Sequence, residues 1–167
     1  DNAFTPLQLA TYCATIANNG TRLKTHLVKQ VTNYNRDQVI SETEPEVVAQ
    51  VDISEENLKT VQEAMKGVTQ SGGTANSVFG DYGITIAAKT GTAENPGHSD
   101  NVTFIAYAPY DDPEIAVAVV LEYGSRGTYS MNVAKDIFDA YFYGKTVDEN
   151  GNLVMPEETN SSSTANE

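Results

Sequence analysis

The stretch Ala88-Lys89-Thr90-Gly91-Thr92-Ala93-Glu94 places a cation, two hydroxyls and a glycine in immediate succession at the end of a segment of small and β-branched residues. Lys89 together with the hydroxyls of Thr90 and Thr92 suits a carboxylate. Gly91 keeps one spot free of side chain, where a ligand can lie against the backbone. If the strand carrying these residues is a sheet edge, its unpaired N–H and C=O groups can pair with an extended ligand. A backbone N–H aimed at a reacting carbonyl can then serve as an oxyanion donor, worth about 3–4 kcal/mol where such donors have been removed. Strict alternation along a strand separates Lys89 from both threonines, so the strand must twist or present its edge for all three to reach one cleft. A lone Lys-Thr-Gly string also arises by chance at an ordinary strand-to-turn boundary, and its surroundings decide its weight.

Other reactive side chains carry bland readings. Cys13 falls within an apolar helical stripe and reads as a small buried hydrophobe. His26 precedes an apolar strand and reads as structural; His98, in the loop after the motif, reads as solvated; Glu94 reads as a turn residue. One cysteine forms no internal disulfide, and with two histidines makes no cysteine-rich zinc site, so neither a metal nor a cofactor is expected. Ten basic residues against 23 acidic ones leave a formal charge of −13, which repels phosphate backbones and anionic headgroups. No nucleic acid partner and no membrane contact from this segment are expected. The longest apolar run, Ile115 to Leu121, is strand-sized rather than membrane-spanning. With 40% hydrophobic residues over 167 positions, the chain can bury one domain's core. The sequence opens at Asp1, without an initiator Met, and reads as a processed product or part of something longer.

The elements that must position the motif follow from the patterning. Thr5, Pro6 and Gln8 form a helix entry with a capping box, and Phe4 and Leu9 occupy the staple positions. Leu9, Tyr12, Cys13 and Ile16 form the helix's apolar stripe, stopped at Asn19-Gly20. Leu27-Val28-Val31 and Val39-Ile40 predict two strands joined by the polar turn Asn33 to Asp37, and Ser41 to Glu46 predicts a solvated loop. Ser54 caps a second helix with Leu58, Val61, Met65 and Val68 inward, ended by Ser71-Gly72-Gly73. After a connection over Thr74 to Gly80, strands are predicted over Ile84 to Thr92, Val102 to Ala108 and Ile115 to Tyr123. The last, apolar without alternation, is expected to be covered on both faces and central. Ser130 is predicted to cap a final helix ending near Gly144. The fold class is α+β, an antiparallel sheet of three main strands flanked by helices over residues 1–145. An acidic polar tail over 146–167 is expected to be disordered.

Lys-Thr-Gly is one of three elements, with Ser-x-x-Lys and Ser-Asp-Asn, shared by penicillin-binding proteins and related β-lactamases. Further blocks extend the likeness over roughly residues 2–144. Phe4 to Ala10, Ile16 to Gly20 and His26 to Val28 resemble the helix and strand upstream of that element in class B penicillin-binding proteins. Gly72-Gly73-Thr74-Ala75 resembles their glycine-Thr-Ala turn, and Lys89 to Glu94 their Lys-Thr-Gly-Thr-Ala-Glu form. Phe104 to Pro109 with Pro113 to Val117 is similar to the following hairpin, and Asn132 to Phe142 to the closing helix.

The departures are specific. No Ser has a Lys three positions later, and the two Ser-x-Asn strings, Ser99-Asp100-Asn101 and Ser130-Met131-Asn132, both follow Lys-Thr-Gly rather than precede it. Ala88 stands where the family usually has Gly, and Thr103 where it commonly has Trp. The resemblance implies the C-terminal half of a transpeptidase domain, whose five-stranded sheet would be completed by the N-terminal half of the same domain. It implies that Lys89 tunes the site and bonds the absent Ser-x-Asn serine. By the same resemblance, the Thr90 and Thr92 hydroxyls bind the carboxylate of a β-lactam or of a peptidoglycan stem peptide's terminal D-alanine. The Thr92 N–H joins the oxyanion hole, Gly91 permits close approach, and Ala93 completes the substrate-binding stretch. The expected activity is a serine D,D-transpeptidase in the bacterial cell envelope, at the outer face of the cytoplasmic membrane through an anchor not in this chain. This chain alone is expected to be inactive. A β-lactam sensor or serine β-lactamase of the same fold, or a non-catalytic acidic binding domain, are the alternatives.

Overall fold

Three antiparallel strands organise the molecule in the computed structural model, which describes residues 3–155. They are β5 (Ala87–Ala93), β6 (Asn101–Ala108) and β7 (Ile115–Leu121), hydrogen-bonded in the order β5-β6-β7. Side chains alternate across a strand. Phe104, Ala106 and Ala108 of β6 therefore share one face with Ala88, Val117 and Val119, packed against Met131, Ala134 and Phe138 of α4 (Gly127–Tyr143) and Phe79 of α3 (Asn76–Phe79). Tyr107 and Ala87 lie on the opposite face, packed with Cys13 and Ile16 of α1 (Pro6–Ala17) and Leu58 and Met65 of α2 (Glu55–Gly67). Helices thus cover both faces of an antiparallel sheet, the expected α+β class.

The helix entries follow the sequence closely. The Thr5 hydroxyl accepts from the Gln8 N–H at 3.2 Å, and the Gln8 side chain accepts from the Thr5 N–H at 2.8 Å, closing the capping box with Pro6 at the first helical position. The chain leaves α1 through Asn19 and Gly20, at φ 50° and 81°. Ser54 caps α2 by accepting from the Asn57 N–H, with Glu55 and Glu56 at the positive end of the helix dipole.

Several expectations are corrected. Tyr12 is exposed, and Thr15 joins Cys13 and Ile16 on the buried stripe of α1. Val61 of α2 is likewise exposed. The strand expected at Leu27 to Val31 is β2 (Gln30–Thr32), paired with β3 (Val39–Glu42); Leu27 and Val28 lie outside it in solvent. Ser41 and Glu42 end β3 rather than open a loop. β1 (Thr21–Leu23) pairs with β4 (Val47–Gln50), two strands too short for an alternation pattern to register. One turn of helix, α3, interrupts the expected connection and drops Phe79 into the core, its ring stacked on Phe104 at 5.6 Å. β5 begins at Ala87, three residues later than expected.

β7 is covered by α1 on one face and α4 on the other, yet it is not central among the described residues. An unbroken apolar run reports two covered faces and says nothing about how many neighbours lie in the sheet plane. Ser130 does not cap α4; it is buried in the helix's first turn, its hydroxyl donating to the Gly127 carbonyl at 2.8 Å. The helix starts at Gly127 and stops at Gly144, φ 66°. Within residues 146–155 a short hairpin pairs β8 (Thr146–Val147) with β9 (Leu153–Val154), its turn held by Asp148 accepting from the Asn150 and Asn152 N–H groups. A polar turn with a built-in Asx acceptor needs little apolar pattern to fold. The rest of the expected tail, 156–167, lies outside the described residues.

Candidate functional site

Among the described residues β5 has one sheet partner, β6, so the Lys-Thr-Gly-Thr stretch lies on a sheet edge. Register sets Lys89 opposite Ile105, Thr90 opposite Phe104, Gly91 opposite Thr103 and Thr92 opposite Val102. Lys89 and Gly91 therefore point toward the α1–α2 face and both threonines toward the α3–α4 face. The lysine overcomes this separation by curling round the edge: its Nζ donates to the Thr90 carbonyl at 2.6 Å. That carbonyl faces the open side of the strand. In an antiparallel pair, successive residues alternate between directing their backbone groups to the partner and away from it. The Thr92 N–H, two residues on, is thus presented on the same open side. The ammonium thus reaches the edge of the strand, while both threonine side chains stay on the α3–α4 face.

Gly91 has a packing role that the sequence did not expose. A β-carbon built there would collide with Thr103 Oγ1 on the neighbouring strand. The glycine makes room for Thr103, the residue standing where the resemblance led us to expect Trp. Thr90 is half-buried, with its hydroxyl 3.1 Å from that of Thr74 in the turn before α3. Nothing in the spacing of residues 74 and 90 signals that contact, since a turn and a strand 16 residues apart meet only through the fold. Thr92 and Ala93 are exposed.

The remaining candidates divide clearly. The His98 ring lies 5.4 Å from that of Tyr123, tying the β5–β6 loop to the loop after β7. Asp100 accepts from the Asn95 N–H, and Asn101 accepts from the Tyr123 N–H at 2.9 Å, so the Ser99-Asp100-Asn101 string secures loops. Ser130 is enclosed in α4. His26 is exposed, its Nδ1 3.4 Å from the Lys24 carbonyl. Burial pushes the Cys13 thiol up to about 12, which keeps it protonated and unreactive. Cavities of about 590 and 710 Å³ lie beside α1 and β1 rather than at the β5 edge. The larger is lined by Phe4, Leu7, Tyr12, Leu23, Val48 and Val51, an open apolar groove. Among the described residues no cluster of His, Cys, Asp or Glu could hold a metal ion, and no helix is long and apolar enough to cross a membrane.

Comparison with known proteins gives this edge a context. Residues 2–142 match the family model described as the penicillin binding protein transpeptidase domain. The chain is 36% identical over 160 residues to penicillin-binding protein 2A of Bacillus subtilis, covering 84% of this chain and 22% of that protein. It is 37% identical over 131 residues to the peptidoglycan D,D-transpeptidase PbpA of Mycolicibacterium smegmatis, covering 74% of this chain and 25% of that protein. Among solved structures, penicillin-binding protein 2B of Streptococcus pneumoniae superposes with a TM-score of 0.72 at 33% identity, over 83% of this chain and 24% of that one. The imipenem acyl-enzyme complex of penicillin-binding protein A from M. tuberculosis superposes with a TM-score of 0.71 at 30% identity, over 85% and 32%. The chain thus spans about a quarter of the length of the proteins it matches. A matched segment covering most of the chain, with an edge strand bearing Lys89 to Thr92, places this chain in the penicillin-binding protein transpeptidase domain family.

Proposed function

We propose that this chain forms the Lys-Thr-Gly-Thr wall of the acyl-transfer site of a bacterial D,D-transpeptidase that cross-links peptidoglycan and is acylated by β-lactams. The observation that carries the proposal is the open edge of β5, with the Lys89 ammonium and the Thr90 carbonyl brought together on it. In the proposed mechanism a serine attacks the carbonyl between the last two D-alanines of a stem peptide. The terminal D-alanine leaves, and the acyl group passes to a neighbouring amine. The Thr92 N–H is one oxyanion donor, and the Thr90 and Thr92 hydroxyls hold the substrate carboxylate. Lys89 supplies the positive field that favours carboxylate binding and developing negative charge. Ala93 continues the edge on which the ligand lies.

The serine and the Ser-x-Asn element come, on this reading, from polypeptide outside these 167 residues, the N-terminal half of one transpeptidase domain to which residues 1–145 contribute the C-terminal part. Two surfaces support that division. The apolar groove at Phe4, Leu7, Tyr12 and Val51 is open, and the outer edge of β7 is apolar and unpaired among the described residues. The proposed site of action is the outer face of the cytoplasmic membrane, reached through an anchor outside this chain.

The test joins the segment to the sequence that precedes it in its gene and exposes the product to a labelled penicillin. Covalent labelling at an upstream serine, reduced by Lys89→Ala or Thr92→Pro, is the expected result, with no labelling of the 167-residue chain alone. Rapid release of the label would turn the assignment to a β-lactamase or sensor, and no labelling of the joined protein to a non-catalytic domain.

A further inference from the structure

We propose that Thr74 is a positioning residue for carboxylate recognition, acting through Thr90; the inference rests on the transpeptidase reading of the β5 edge. Thr74 belongs to the turn that closes the segment between α2 and α3, and its neighbours hold that turn rigidly. The Ala75 N–H donates to the Val68 carbonyl at 2.9 Å, and the Gly73 N–H to the Gln70 carbonyl at 2.8 Å. Ala75 itself is fully buried against the α4 side of the sheet. A β-carbon at Gly73 would run into the backbone at Val68, so the turn passes directly against the end of α2. From this fixed base the Thr74 hydroxyl meets that of Thr90 at 3.1 Å.

A threonine hydroxyl has one hydrogen to donate and two lone pairs to accept with. If Thr90 is to donate to a bound carboxylate, any hydroxyl bonded to it must be its donor. Thr74 O–H therefore donates to Thr90 Oγ1, and the Thr90 hydrogen is turned outward toward the ligand. A donor on the far side also polarises the Thr90 O–H, strengthening the bond it makes. Without Thr74, Thr90 keeps its place on the strand but loses the partner that fixes its hydrogen.

The experiment is a double-mutant cycle in the joined, acylation-competent protein, read as the second-order rate of acylation by a labelled penicillin and by the same penicillin with its carboxylate esterified. Thr74→Val is expected to slow acylation by the free acid about fivefold, the scale of one hydrogen bond, while changing the rate with the ester by less than about twofold. Thr74→Ser is expected to restore the acid rate, and Thr74→Val to add nothing in a Thr90→Val background. Equal slowing with acid and ester, failure of serine to rescue, or full additivity with Thr90→Val would each overturn the proposal, leaving Thr74 a structural turn residue. An unaltered protein that is not acylated at all would instead overturn the transpeptidase reading, an outcome separate from any Thr74 effect.

Discussion

Gly91→Ala tests why the edge strand carries a glycine. The residue faces Thr103 across the β5–β6 pair, and the whole obstruction to a methyl group is one atom, Thr103 Oγ1; the next nearest, Thr103 Cβ, would stand at 3.6 Å, an ordinary contact. Forcing the methyl in requires Thr103 to abandon its rotamer or the strands to part, an overpacking cost of about 1–3 kcal/mol. Replacing glycine within a strand returns roughly 0.5–1 kcal/mol of chain entropy. The single variant should lose about 1–2 kcal/mol net. Thr103→Ala removes the obstructing oxygen. In that background Gly91→Ala should be neutral or stabilise by up to about 1 kcal/mol, a coupling between neighbours of about 1–3 kcal/mol. Urea unfolding of the four proteins measures the coupling, and penicillin acylation of the same four in the joined, acylation-competent protein measures the edge. The double variant is expected to recover both. If Gly91→Ala costs the same with and without the Thr103 hydroxyl, the cross-strand explanation is wrong. If the double variant is stable yet fails to acylate, the glycine serves close ligand approach, as the sequence alone suggested.

Asp139→Asn should destabilise by about 3 kcal/mol, the lower end for a broken buried pair, because the partners Lys135 and Lys145, each 2.8 Å from the carboxylate, can reach solvent. Burial pushes the Asp139 carboxyl up, but hydrogen bonds from Lys135, Lys145 and Tyr82 more than reverse this and hold it below the usual carboxylate range. A depressed folded value means that the contribution is complete above the unfolded value of about 3.9 and is lost as pH falls through the folded one. The melting-temperature gap between Asp139→Asn and the unaltered protein should therefore close below pH 4 and stay constant above pH 6; a gap that persists in acid would refute this. Thr5→Ala should cost about 1 kcal/mol by opening the capping box of α1, with Thr5→Ser restoring most of it, both read by urea midpoints.

Local chemistry was legible wherever a few adjacent residues determine it. Thr5, Pro6 and Gln8 specify a helix start by their own hydrogen bonds, and Ser54 and Gly144 likewise mark ends without help from the rest of the fold. The motif strand and the β6–β7 hairpin were legible because their apolar runs are bounded by polar corners. What was not legible depends on contacts between distant segments. Tyr12 sits at a helical spacing that would bury it, but the surface facing it is an open groove. β1 and β4 have three and four residues, and they form because the ends of a 30-residue excursion meet, not because either pattern demands a strand. Ser130 matches a cap by residue type, but Gly127 starts the helix one turn earlier, where a buried serine hydroxyl can still be satisfied by the Gly127 carbonyl. On the β5 edge, the Lys-Thr-Gly-Thr string was picked out by its residue types, and Thr74 and Thr103 only as parts of a family likeness and a departure from it; that each meets the strand is set by the fold and has no sequence signal.

The two edges of the three-stranded sheet are built for opposite fates. Exposed edges invite pairing with other chains, and proteins guard them with charges, prolines, bulges or brevity. β7 has none of these over Ile115 to Leu121, seven apolar residues with helices packed on both faces, so its unpaired backbone groups are left as a template. β5 carries a lysine whose ammonium folds onto one of the outward carbonyls and occupies it. From Lys89 to Thr92 its two faces carry lysine and glycine on one side and threonines on the other rather than aliphatic side chains, and a further protein strand would gain little apolar contact there. Under the proposed assignment this asymmetry explains why strands completing the sheet add at β7, and why the edge left open is the one at which a substrate backbone can take a strand's place.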